Sequence, residues 1–172
     1  GYSFDGWNTA ANGAGISYSV GAIFAMGSAN VALYAQWSTY GITVSSTSGL
    51  VSTEAGGAAT FIVVLDTQPT ASVTIGLSSD DTGEGTVSPS TLTFSTGNWS
   101  TAQTVTVTGV DDAVADGNQS YTIVTAAAAS SDTSYSGLNA SDVSVTNNDN
   151  DAVGITVSST SGLVSTEAGG AA

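Results

Sequence analysis

Residues 104–112 read Thr104-Val105-Thr106-Val107-Thr108-Gly109-Val110-Asp111-Asp112. Valine and threonine alternate with a period of two, which puts Val105 and Val107 on one face of an extended chain and the threonines on the other. Both residue types are branched at Cβ and suit a pleated, half-buried surface better than a helix. The strand runs directly into two adjacent carboxylates, with Asp116 close behind. Working outward, segments of strand character lie at 42–44, 58–65, 72–77, 91–94, 120–125 and 142–146, separated by clusters of Gly, Asp, Asn, Ser and Pro such as Asp81-Thr82-Gly83-Glu84-Gly85. Residues 126–129 lack an apolar stripe of helical period and read as a strand end or loop. About seven strands at this spacing predict an all-β sandwich.

The 172 residues leave room for one or two domains with a sizeable core. Ser and Thr account for 52 of them, a bias toward β-structure. Lys, Arg, His and Cys are absent, whereas Asp plus Glu number 14, so the formal charge is -14. That absence excludes Ser-His-Asp and Cys-His nucleophiles, Schiff-base lysines, His or Cys zinc sites and arginine clamps for phosphate. Nucleic acid and anionic membrane surfaces are poor partners, because both need Lys or Arg to neutralise phosphate. A metal cation is the obvious counter-ion. The Cys-free, Ser/Thr/Gly-rich composition fits an extracellular bacterial protein.

Residues 41–59 (GITVSSTSGLVSTEAGGAA) recur without change at 154–172, a spacing of 113 residues. That spacing is domain-sized, longer than a solenoid coil, and predicts tandem globular modules. Residues 1–40 form a unit of another kind, 41–153 a sandwich, and 154–172 the first strand region of the next identical copy. The sequence is therefore expected to be a window on a longer chain. No stretch approaches the ~18 consecutive apolar residues of a membrane span, and Gly1-Tyr2-Ser3 opens without a charged, cleavable leader.

The acids are clustered: Asp80-Asp81, Asp111-Asp112 with Asp116, and Asp149 and Asp151 within Asn147-Asn148-Asp149-Asn150-Asp151, each group just after a predicted strand. Glu54 stands alone near the start of the sandwich. Gathered carboxylates repel unless a cation sits between them, and grouped hard oxygen donors favour calcium. A solvated acidic loop is the plain alternative for any one pair. Three clusters with no basic residue to compensate point to Ca2+. Residues 147–151 also match the first half of an EF-hand loop, but Ala152 stands at its glycine and Ser158 at its bidentate glutamate, which excludes that reading.

Val51-Ser52-Thr53-Glu54-Ala55-Gly56-Gly57, then Leu92-Thr93-Phe94 ahead of 104–110, Asp111-Asp112 and the terminal Asn148-Asp149-Asn150-Asp151, resemble a Calx-beta module over about 113 residues. The resemblance implies an Ig-like Greek-key sandwich of seven strands that binds several calcium ions at one end. It implies Glu54, Asp111, Asp112, Asp116, Asp149 and Asp151 as ligands, with the carbonyl of Val114. The family's Asp-Tyr in the loop after the third strand is missing, and Asp80, Asp81 and Glu84 lie nearby instead. Asn alternates with the terminal acids, which implies fewer ions or weaker binding.

The first 40 residues hold two of three Trp, four of six Tyr and two of four Phe. Gly1-Tyr2-Ser3-Phe4-Asp5-Gly6-Trp7 and Val31-Ala32-Leu33-Tyr34-Ala35-Gln36-Trp37 resemble the second half of an internalin B-type repeat, a small β-grasp-like unit of bacterial surface proteins. The aromatics at 2, 4, 7, 34 and 37 are expected to form its core, with a sugar-binding face as the alternative. Trp99 reads as a cap over the sandwich. Asp5, Asp66, Asp132 and Asp142 read as surface or turn residues.

No carboxylate pair is flanked by a recognisable substrate groove, so no enzyme is expected. The leading expectation is a calcium-stiffened repeat of a long extracellular adhesin or filament. Its partners are neighbouring repeats of the same chain, or identical subunits joined by strand addition through 154–172. The alternatives are a glycan- or protein-binding module and a non-catalytic appendage of a secreted hydrolase.

Overall fold

The computed structural model describes residues 1–25, 27, 29–157 and 161–169, among which there is no helix. The strands are β1 (Tyr2–Asn8), β2 (Ser17–Tyr18), β3 (Tyr34–Thr39), β4 (Ile42–Ser45), β5 (Leu50–Thr53), β6 (Ala58–Leu65), β7 (Val73–Ser79), β8 (Gly85–Ser88), β9 (Thr91–Phe94), β10 (Gln103–Gly109), β11 (Gln119–Thr125), β12 (Ala129–Ser130) and β13 (Val143–Asn148). The seven predicted segments are all strands, their ends moved by at most two residues. Strands β5, β8 and β12 are additional. They are two to four residues long, and each lies at a sheet edge, which leaves too short an apolar pattern to read.

Two sheets stack face to face, one in the order β4-β6-β10-β8 and the other β12-β7-β11-β13-β5 with β9 beside β7. This is the strand order of an immunoglobulin-like sandwich. The period of two places Phe61, Val63 and Leu65 with Val105 and Val107 on the inner face of the first sheet. Ile75, Leu77, Ile123, Val143 and Val145 meet them from the second. Each such aliphatic side chain, fully buried, contributes roughly 1.5–3 kcal/mol. The chain crosses between sheets after β4, turning at Ser46 with φ of 62° and Gly49 with φ of 76°. It then runs parallel to β13, with Val145 opposite Leu50 and Asn148 opposite Thr53, while every other strand pair is antiparallel.

Strands β1, β2 and β3 form a separate sheet in the order β2-β1-β3. Its aromatics do not form the expected core. Tyr2, Trp7, Tyr34 and Trp37 are 70, 43, 43 and 60 % exposed, and Phe4 is half-buried between Trp7 and Trp37 at ring separations of 5.3 and 5.0 Å. The physical reason is that a single three-stranded layer has no second layer to bury its aromatic face. The buried side chain here is Asn8, whose amide holds the 9–17 loop through Gly13 O, Gly15 O, Ser17 Oγ and the N–H groups of Ala10 and Gly15.

The second copy of the repeated sequence behaves differently from the first. Residues 154–157 and 161–169 contain no strand, and Ile155, Val157, Leu163 and Val164 are all well exposed. Residues 158–160 and 170–172 of this predicted strand region lie outside the described residues.

Candidate metal centre

The loops that follow β5, β10 and β13 converge at one pole of the sandwich, together with the turn before β8. Glu54 directly follows β5, and its N–H donates to Asn148 O across the parallel ladder at 3.1 Å. Two glycines allow the approach. A Cβ on Gly109 would lie 2.2 Å from Thr53 O and 2.4 Å from Asn147 Oδ1, and one on Gly85 would lie 2.2 Å from the Tyr121 ring.

The carboxylates form two groups. Oxygens of Glu54, Asp149 and Asp151 lie within 4.8 Å of one another, as do those of Glu84, Asp112 and Asp116. Glu54 is 3 % exposed, and its Oε2 accepts from Asn150 N at 2.9 Å. Asp149 accepts from Asp151 N at 2.6 Å and from Gly117 N at 2.7 Å. Asp151 Oδ2 is buried and has no hydrogen-bond partner among the described residues. In the second group Asp112 Oδ1 accepts from Val114 N at 2.7 Å, and Val114 O accepts from Asp116 N at 2.8 Å. The Val114 carbonyl therefore serves the turn that brings Asp116 back beside Asp112. Asp111 belongs to neither group of three, and its Oδ1 accepts from Asn150 Nδ2 at 3.2 Å.

Asp80 and Asp81, left open by the sequence, are engaged locally. Asp80 Oδ1 accepts from Thr122 N at 2.6 Å, and Asp81 Oδ1 caps the turn at Gly83 N at 2.9 Å. It is Glu84 that turns toward the loop acids. Asn147 supports the arrangement from below: fully buried, it donates to Val110 O and Glu84 Oε2 and accepts from Ser52 Oγ, which also bonds the Tyr121 hydroxyl. In the sequence Asn147 reads as the first residue of an Asn/Asp run. The signal was there, since 147 continues the inward register of Val143 and Val145.

The electrostatics follow the geometry. For Glu54 the Asn150 N–H pulls its pKa down, but burial and the charges of Asp149, Asp112 and Asp151 together outweigh it and hold the carboxyl above its ordinary value of 4.5. Burial, then the charges of Asp149, Asp111, Asp112 and Asp116, push Asp151 up from 3.8. Asp149 is held below 3.8 by the N–H groups of Asp151 and Gly117. Two acids are thus driven toward protonation where a third is kept ionised. An oxygen-only donor set of this kind, with one buried oxygen unpartnered, fits a hard divalent cation and offers nothing to a soft one.

No known family profile matches the sequence, and no curated protein matches it. Among solved structures, the apo-form Calx CBD1 domain is similar at a TM-score of 0.49 and 13 % identity, over 67 % of this chain and 100 % of that one. The periplasmic chaperone SfaE is similar at 0.49 and 10 %, over 66 % of this chain and 61 % of that one. The E. coli chaperone DraB follows at 0.44 and 9 %, over 64 % and 56 %. The chain thus spans roughly three fifths of each of these two chaperones. These likenesses are those of a distant β-sandwich, and no match points to an internalin-type repeat.

Proposed function

We propose that this chain is a calcium-stiffened structural module of an extracellular bacterial adhesin or filament. The observation that carries the reading is Asp151 Oδ2, buried without a partner among the described residues and beside Glu54 and Asp149. A buried, unpaired carboxylate oxygen is costly unless a cation compensates it. Glu54, Asp149 and Asp151 would hold one ion, and Glu84, Asp112 and Asp116 a second, with Asp111 adding charge from the side. The bound metal supplies charge neutralisation and cross-linking, with no reaction to carry out. Two ions would lower the charge of residues 41–153 from -12 to -8.

Placement gives the site its mechanical role. Asp149 and Asp151 belong to the segment leaving β13, three to five residues before Gly154 opens the repeated sequence. An ion shared with Glu54 would fasten this exit to the body of the sandwich and remove the swivel of a polar linker. Neighbouring repeats of the same chain, or identical subunits, are the partners this implies.

Calcium titration by calorimetry, paired with melting in chelator, tests the reading. Saturating calcium at a hundredfold excess over Kd is expected to add about 2.7 kcal/mol. Asp151→Asn is expected to remove most of that gain. Melting curves that coincide in calcium and in EDTA would overturn it.

A further inference from the structure

At the opposite pole, a cleft of about 510 Å³ lies between the three-stranded sheet and the sandwich. Strand β6, roughly 25 Å long, separates it from the acidic loops. Asp5, Phe4 and Ser38 line it from one side, and Asp66, Gln68 and Trp99 from the other. We infer that this cleft is a binding site for a neutral saccharide.

The lining matches that ligand group by group. Each carboxylate is aimed by a hydroxyl on one oxygen: Ser38 donates to Asp5 Oδ2, and Thr43 Oγ1 donates to Asp66 Oδ1 at 2.6 Å. Asp66 Oδ2 lies against the Gly41 backbone, and Asp5, which is exposed, keeps Oδ1 as an acceptor on the cleft it lines. Gln68 is anchored by its Nε2 on Thr96 O at 2.7 Å, which leaves its amide oxygen as a further acceptor. Trp99 is half-buried against the core, so its ring is fixed, and Phe4 supplies a second apolar face. A sugar presents C–H faces to such rings and hydroxyls that both donate and accept, so it uses the acids, the amide and the Ser and Thr hydroxyls together. An aliphatic ammonium would satisfy only the acceptors. Anionic ligands are refused, because the chain has no basic side chain to meet them. The volume is in the range of small-molecule clefts, which run from about 300 to 1,000 Å³.

The test is calorimetric titration with neutral oligosaccharides, as fragments of β-glucan, mannan, galactan and chitin, in chelator so that the acidic loops play no part. At least one fragment is expected to bind, with affinity falling by tenfold or more, about 1.4 kcal/mol, in Asp66→Asn and in Trp99→Ala. Asp149→Asn is expected to leave it unchanged. Asp66 is exposed and Asn nearly isosteric, so that variant reports even if Trp99→Ala fails to fold. Absence of binding at millimolar saccharide would overturn the inference. So would binding lost in Trp37→Ala but kept in Trp99→Ala, which places the sugar on the outer aromatic face. Capture of spermine, sensitive to Asp66 and without any saccharide binding, would make the cleft an amine site instead.

Discussion

Asp151 and Asp132 are both acids of one loop-rich chain, and their surroundings give them opposite fates. Asp132, expected at the surface, is 6 % exposed and fully served: it accepts from Thr70 N at 2.7 Å and from Ser134 N at 2.9 Å, which holds its pKa below 3.8. Asp132→Ala leaves both N–H groups without their acceptor, and a loss of about 1–3 kcal/mol, equal in calcium and in EDTA, is the expected melting result. Asp151 and Glu54, held above their ordinary values, bind protons more tightly folded than unfolded. Without metal, stability should therefore rise as pH falls from neutral toward 4.5, and the metal-free protein should melt higher at about pH 5 than at pH 7. Below 3.8 the depressed Asp132 and Asp149 reverse the trend, because their contribution is lost as they protonate. With calcium present the order between pH 5 and 7 should invert, since protons and the cation compete for the same oxygens. Melting curves at the two pH values, with and without chelator, check both signs.

Elements were legible in the sequence where the period of two coincided with burial. Strands β6 and β9 have the ends expected of them, since Phe61, Val63 and Leu65, or Leu92 and Phe94, mark the inner face without interruption. Strand β5 was not, because its inward residue is Ser52, buried by hydrogen bonds to Tyr121 and Asn147. The acidic residues of the candidate site were also legible, but not their grouping. Glu84 joins Asp112 and Asp116 because the β7–β8 connection folds over the β10 loop, with Val110 N donating to Glu84 O at 3.0 Å, a contact no spacing encodes. The repeated sequence makes the point sharpest. Leu50-Val51-Ser52-Thr53 is a strand and Leu163-Val164-Ser165-Thr166 is not, although the residues are the same. Strand formation here is decided by the partner, Val145 to Asn148 of β13, more than by propensity. Leu50→Ala is expected to cost about 1–2 kcal/mol and Leu163→Ala less than about 0.5 kcal/mol in this chain. Equal losses in denaturant melts would show that the second copy is packed in solution.

For the whole molecule, the governing quantity is charge. Seven of the 14 acids, counting Asp111, crowd one pole without a single basic side chain. Repulsion among exposed charges is screened over about 8 Å at physiological ionic strength. If the pole holds calcium as proposed, added sodium chloride should raise the melting temperature strongly in EDTA and weakly in calcium, where bound cations would already neutralise it. A salt effect of the same size in both buffers would count against metal at the loops.

The parallel pairing of β5 with β13 has a mechanical consequence. The chain enters the sandwich at the far pole through β4 and leaves it past Asn148, so tension applied to the two ends pulls these adjacent strands lengthwise in opposite directions. Their backbone bonds are loaded together, in shear, instead of being opened one after another from an end. An ion bridging Glu54 to Asp149 and Asp151 would sit at the exit end of that ladder, acting as a rivet placed where the load enters.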